Sequence, residues 1–355
     1  MTSQSSEEPA PLSVSSGKPS PILVEATRGR MVENCHRGRA AVVDPDGGVL
    51  MSWGDVEAPI YARSAIKPLQ ALPLVESGAA DAFGLGEVEL ALACASHGGE
   101  PAHVDAVGRW LDRLGYGVDD LECGAHPPLD RAAARDLVIQ GAEPTPLHNN
   151  CSGKHAGMVT TAHHLGEPTR GYVDYAHPVQ QRILGVLEIM CGCDLGAAPR
   201  SIDACSIPAI AIPLGNVALG MARLVEPARL SQARAEAAGR IVEAMTAQPF
   251  MVAVSGRFST RLMTVAGAEA IVKAGAEGVY CAALRRLGLG VALKIDDGSR
   301  RAAEVAMAAI LRHLGVLDDR HAGELPEVLA VPIESWNGVR VGEARPAPEL
   351  LRKPA

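Results

Sequence analysis

Arg39-Ala-Ala-Val-Val-Asp-Pro-Asp-Gly-Gly-Val-Leu-Met-Ser-Trp53 decides the fold. Two short apolar runs, 39–44 and 49–53, flank Pro45-Asp46-Gly47-Gly48, and glycine at the turn predicts a β-hairpin. Upstream, Ile22–Thr27 reads as a third strand broken by Arg28-Gly29-Arg30, so the N-terminal part is an antiparallel meander. Strands return late in the chain, at 270–273, 278–283 and 290–295, each bounded by glycine. A last hairpin is expected at Trp336–Val341 around Asn337-Gly338. Between these ends the pattern is helical: 64–76, 86–95, 102–114, 130–140, 152–165, 178–190, 216–224 and 230–247, with one more helix at 300–314. Pro68 sits in a first turn, where its missing N–H costs little, whereas Pro73 should kink or end the 64–76 helix. Strands at both ends and helices between predict an α+β fold with one antiparallel sheet. The expected organisation is a disordered tail over 1–20, rich in Ser, Pro and Glu, then one catalytic unit over 21–345. Its sheet lobe takes about 21–60 and 265–345, and its helical lobe about 61–264.

Composition narrows the function. The 355 residues carry 33 basic and 41 acidic side chains, a net charge of −8, which disfavours a general nucleic-acid binder. Aromatic residues are 3%, too few for base-stacking platforms. The N-terminal twenty residues lack a secretory pattern. The most apolar window, 204–222, is interrupted by Ser206, Pro208, Pro213 and Asn216, so no membrane span is expected and the chain reads as cytoplasmic. Eight scattered cysteines with no CxxC pair argue against a disulfide framework.

Five segments can carry chemistry. Arg63-Ser-Ala-Ile-Lys67 is an S-x-x-K, placing Ser64 and Lys67 one turn apart at a helix start, where a desolvated lysine can take the serine proton. Ser96-His97-Gly98-Gly99 is a loop with exposed amides. His148-Asn-Asn-Cys-Ser-Gly-Lys-His155 is the densest polar run and reads as a ligand-contacting loop; it lacks the glycine and hydroxyl of a phosphate loop. Asp203 and Cys205 fall on one side of an apolar extended segment, where a carboxylate either grips a substrate ammonium or pairs with an arginine. Lys273-Ala274-Gly275 is a strand-borne lysine followed by a glycine that leaves room for substrate beside the strand.

Taken together these strings resemble the rhizobial-type L-asparaginase family (asparaginase II). The match runs through Glu25–Gly29, Arg63–Gln70, Ser96–Glu100, His148–Gly157, Asp203–Pro208, Lys273–Val279 and Gly290–Gly298, in order, from about 21 to 341. The resemblance implies a serine β-lactamase/glutaminase-like fold, a homodimer, and hydrolysis of L-asparagine to L-aspartate and ammonia. It implies two Ser–Lys tandems, Ser64 with Lys67 and Ser96 with Lys273, with Lys294 on a neighbouring strand as the alternative to Lys273. It further implies a zinc site from Cys151, Lys154 and Cys205 completed by water, not expected to activate the nucleophile. Ser64 is then the nucleophile with Lys67 as base, and Arg63, His97, Asn149, Asn150 and Asp203 contact substrate. Ala274 stands where the β-lactamase strand motif has a hydroxyl, which argues against β-lactam binding. The competing readings are a glutaminase or other β-lactamase-like serine acyl hydrolase, and a zinc or amino-acid binding protein without turnover.

Overall fold

The structure, a computed structural model, describes residues 19–321, 325 and 330–352. Apart from its last two residues, the tail expected over 1–20 lies outside the described residues.

Among the described residues eleven strands form two sheets. In chain order they are β1 Ile22–Arg28, β2 Met31–Val43, β3 Val49–Trp53, β4 Pro59–Tyr61, β5 Arg200–Ile202, β6 Pro208–Pro213, β7 Ala270–Ala274, β8 Val279–Leu284, β9 Leu289–Ile295, β10 Val331–Glu334 and β11 Arg340–Pro346. The large sheet runs β10-β11-β1-β2-β9-β8-β7, with β3 also paired to β2, and every pairing is antiparallel. β2 joins its parts: residues 31–37 pair with β1, while 38–43 pair with β9 and 40–43 with β3. N- and C-terminal strands thus share one sheet, and the fold is α+β. β8 is buried at all six positions, which requires cover on both faces. Helices Leu214–Val225 and Arg300–His313 both pack on β8 and β9. Strand β7 is left at the sheet edge, beside the helical region.

Local chemistry explains where the elements depart from the sequence reading. The helix expected over 64–76 is a 3-10 turn, Arg63–Ile66, then short helices Lys67–Gln70 and Leu72–Glu76. Pro73 has no N–H to return to the preceding turn, so the chain breaks at Ala71. The last hairpin forms, with Asn337-Gly338 in its turn; Ser335 N–H donates to Val339 O (2.9 Å), Gly338 has φ 76°, and the strands lie outside 335–339. Asp203–Ser206 is not extended but a turn between β5 and β6. Ser206 N–H donates to Asp203 O and Asp203 N–H to Ile207 O, both at 2.8 Å, with Ser206 at φ 74°. The three-residue strands β4 and β5, on either side of β6, were not anticipated. This small sheet matters: β4 leads into Arg63 and Ser64, and the β5–β6 turn carries Asp203 and Cys205 to the same place.

Among the described residues no helix is long and apolar enough to cross a membrane.

Candidate active site

A cavity of about 320 Å³ opens where edge strand β7, the 3-10 turn at Arg63–Ile66, the β5–β6 turn and the loops at 96–99 and 149–151 converge. Two glycines permit the convergence. A Cβ at Gly153 would lie 2.4 Å from Leu92 O, so only glycine lets the start of helix Ser152–His164 press against helix Glu87–Ala93. A Cβ at Gly275 would come 2.9 Å from Ala62 O and 3.2 Å from Ala65 Cβ. Gly275 therefore makes room for the turn that bears Ser64, not for substrate as the sequence suggested.

Ser96 is the hub. Its N–H donates to Val252 O (2.9 Å), fixing the backbone. Its Oγ lies 2.8 Å from Lys273 Nζ and 3.1 Å from Lys67 Nζ. Lys67 is fully buried, and its three N–H donors go to Ala95 O, Ser96 Oγ and Cys151 Sγ (3.1 Å). It makes no hydrogen bond to Ser64, so the direct Ser64–Lys67 tandem expected from the S-x-x-K spacing is not formed. The 3-10 turn places the lysine one turn on, but tertiary partners draw its amine to Ser96. Lys273 donates to Ser96 and to Ala274 O (2.9 Å), whereas Lys294 turns to Ile295 O, so Lys273 is the lysine on Ser96. Burial pushes the Lys273 amine well below the ordinary lysine value, and the Lys67 charge beside it adds to the shift. A lysine so placed can exist as the neutral amine.

Ser64 lies on the cavity wall, half-buried, with no hydrogen bond from its hydroxyl among the described residues. Its neighbour Arg63 adopts φ 49°, uncommon for a side chain with a Cβ. Arg63 grips Asp203 Oδ1 through Nε (2.9 Å) and Nη2 (2.6 Å). Of the two options for Asp203, the arginine pair is the one formed. Burial alone would raise the Asp203 carboxyl, but the Arg63 hydrogen bonds, with Lys154 nearby, outweigh it and hold it low. The pair leaves Oδ2 without a hydrogen bond among the described residues, on a residue that lines the cavity.

Two expected substrate contacts are otherwise engaged. His97 is fully buried behind the wall: its Nδ1 accepts from Gly99 N–H (3.1 Å), its Nε2 meets Ser152 Oγ (2.8 Å), and its ring stacks on His103. Asn149 spends both amide N–H groups on Cys123 O (2.8 Å) and Gly124 O (3.0 Å), while its Oδ1 accepts from Cys151 N–H. Both residues shape the loop and leave nothing to offer a ligand. Asn150 remains on the wall with its amide N–H groups uncommitted.

Below Ser96 the thiols gather. Cys151 Sγ accepts from Lys67, and Lys154 Nζ donates to Cys205 Sγ at 3.0 Å. A hydrogen bond from Cys205 holds the Cys151 thiol well below its ordinary value, and the buried Lys67 and Lys154 amines add to this. The same bond, with burial, pushes the Cys205 thiol up. Two buried thiols are donors that zinc takes, whereas Lys154 could join them only after losing its proton: burial would lower its amine, but Cys151 and Cys205 beside it outweigh that and hold it above the ordinary lysine value. Among the described residues no group of three or more His, Cys, Asp or Glu is placed to hold a metal; this donor set contains two of those residues and a lysine.

Arg257 and the pair Arg300–Glu304 also line the cavity and were not among the residues the sequence singled out. Arg257 is the N-cap of an unanticipated helix, Phe258–Ala266, and its only local signal is the Ser255-Gly256 dipeptide, a turn that precedes the helix.

A cavity lined by Ser64, Ser96 and the Lys273 amine, with Lys67 buried behind Ser96, is the equipment of a hydrolase. The family model described as L-asparaginase II matches residues 24–346, and the chain belongs to that family. It is an amidohydrolase of the asparaginase type. No curated protein matches the chain. Among solved structures, a β-lactamase from Mycobacterium bovis is similar at 15% identity and TM-score 0.41, over 78% of this chain and 94% of that one. A chain from Bacteroides dorei described as a candidate β-lactamase is similar at 13% identity and TM-score 0.43, over 78% and 93%.

Proposed function

We propose that the protein hydrolyses L-asparagine to L-aspartate and ammonia through an acyl-enzyme on Ser64. The observation that carries this reading is Ser96 Oγ held between Lys273 (2.8 Å) and Lys67 (3.1 Å) on a wall shared with Ser64. Ser64 Oγ attacks the side-chain amide carbon. Its proton passes through the Ser96 hydroxyl to the neutral Lys273 amine and then to the departing nitrogen, which leaves as ammonia. Water attacks the aspartyl ester by the reverse relay and frees Ser64. Routing the proton through Ser96 leaves all three hydrogen bonds of Lys67 intact, whereas swinging Lys67 to Ser64 breaks them. The Ser64 N–H, without a backbone acceptor at the head of its turn, is the donor we assign to the developing oxyanion. Ammonia release from asparagine, compared with glutamine and a chromogenic cephalosporin, tests the reading. Equal turnover of glutamine would make the protein a glutaminase-asparaginase, and cephalosporin turnover alone would replace it.

Asp203 Oδ2 is the group we assign to the substrate ammonium. Asp203→Asn is expected to raise KM about ten- to a hundredfold, from the roughly 1.5–3 kcal/mol of a hydrogen bond to a charged group. An unchanged KM would confine the carboxylate to bracing Arg63.

Cys151, Lys154 and Cys205 are the residues we assign to a zinc ion, with water as the remaining ligand. When bound there the metal supplies a fixed positive charge beside the loop of Asn150 and the turn of Asp203. Metal analysis is expected to find about one zinc per chain, lost in Cys151→Ser, with tighter retention at higher pH because the thiols must be deprotonated. Chelation is expected to raise KM more than it lowers kcat. Metal-free protein carrying a Cys151–Cys205 disulfide would sink the site.

A further inference from the structure

Charge on the cavity wall is unequally matched. Arg63 is paired with Asp203 through Nε and Nη2, and its Nη1 lies 4.0 Å from Glu277. Lys273 is held by Ser96 and Ala274 O, and Lys67, buried behind the wall, has used its three donors. Arg300 leans on Glu304 at 3.7 Å. Arg257 differs: it is half-buried and lines the same cavity as Ser96 and Lys273, and its guanidinium has no hydrogen bond or ion pair among the described residues. Five donors in a planar fork, partly removed from water and without a hydrogen bond, feel Glu304 only at longer range, with Arg300 beside it, and call for a planar anion. Its backbone is also tied to the reacting groups. Ser96 N–H bonds Val252 O, Arg257 N–H bonds Val254 O (3.1 Å), and Ser255 is bound through N–H (3.1 Å) and Oγ (2.8 Å) to the Glu100 carboxylate. The segment that presents Arg257 is therefore braced against the strand of chain that presents Ser96.

We infer that Arg257 takes the α-carboxylate of the substrate, so that the site selects free amino-acid amides over amides whose α-carboxyl is blocked. This rests on the asparaginase reading and deepens it. An arginine fork matches a carboxylate bidentately and has nothing comparable to offer a neutral carboxamide. The side chain makes no hydrogen bond among the described residues, and Glu304 keeps Arg300 at 3.7 Å, so its removal leaves no hydrogen-bonding group unpaired and the fold should hold.

The test compares L-asparagine with L-asparagine α-amide in the wild type, Arg257→Met and Arg257→Lys. The wild type is expected to favour asparagine, and Arg257→Met is expected to raise KM for asparagine roughly ten- to a hundredfold with kcat little changed. KM for the α-amide should not move, so the two substrates converge, and Arg257→Lys should restore part of the preference. An unchanged KM for asparagine in Arg257→Met, or equal losses on both substrates, overturns the inference while the asparaginase reading stands. If the wild type releases no ammonia from asparagine, that reading falls by itself. Calorimetric binding of L-aspartate to wild type and Arg257→Met then decides the carboxylate site: weaker binding to the variant supports it, and equal or absent binding in both overturns it.

Discussion

Ser64→Ala is expected to abolish ammonia release from L-asparagine while the protein stays folded. The hydroxyl makes no hydrogen bond among the described residues, so alanine leaves no partner unsatisfied and the melting temperature should not move. Ser96→Ala is a different lesion. It removes the acceptor shared by Lys67 and Lys273, both buried, and should cost stability as well as rate. A relay residue contributes typically about 10²–10⁴-fold, so that variant should keep a slow, measurable turnover. Mass spectrometry of a quenched reaction separates the roles, since the aspartyl adduct should sit on Ser64 and still form, slowly, in Ser96→Ala. Even a tenth of wild-type kcat in Ser64→Ala, or an adduct on Ser96, would transfer the nucleophile's role to the serine that already has two lysines.

The S-x-x-K string announced both residues but not their partnership. Spacing fixes that Lys67 follows Ser64 by about one turn; where the amine points is decided by Ala95 O, Ser96 and Cys151, which arrive from elements far away in the chain. The hairpin at 39–53 was legible because its turn residues and flanking strands are local. The 64–76 segment read as one helix because its apolar spacing is helical, and Pro73 overrode that pattern at Ala71. The Asp203–Ser206 turn was hidden for another reason. Its left-handed residue is Ser206, φ 74°, where turn chemistry predicts glycine or asparagine. β4 and β5 have three residues each, too short to show a two-residue period. Polar residues at a site also read alike in sequence. Asn149 and Asn150 are adjacent, yet one is consumed by loop carbonyls and the other faces the cavity.

Lys273→Met is expected to lower kcat about 10²–10⁴-fold, the range of a lost general base, and to change the pH profile with it. In the wild type the relay works only when the Lys273 amine is neutral. Burial and the Lys67 charge lower its proton affinity, so the neutral form is reached well below the pH an exposed lysine would require. Activity should therefore rise with pH through that lowered pKa and fall as the amine is protonated on the acid side. Methionine has no proton to lose, so the residual activity of the variant should lack this limb. Lys273→Arg makes the sharper comparison. Arginine keeps a donor near Ser96 but cannot be deprotonated in proteins, so it should be as slow as methionine if the residue is a base. Near-wild-type turnover in Lys273→Arg would instead make the lysine a fixed positive charge, and the proton from Ser64 would have to leave by another path.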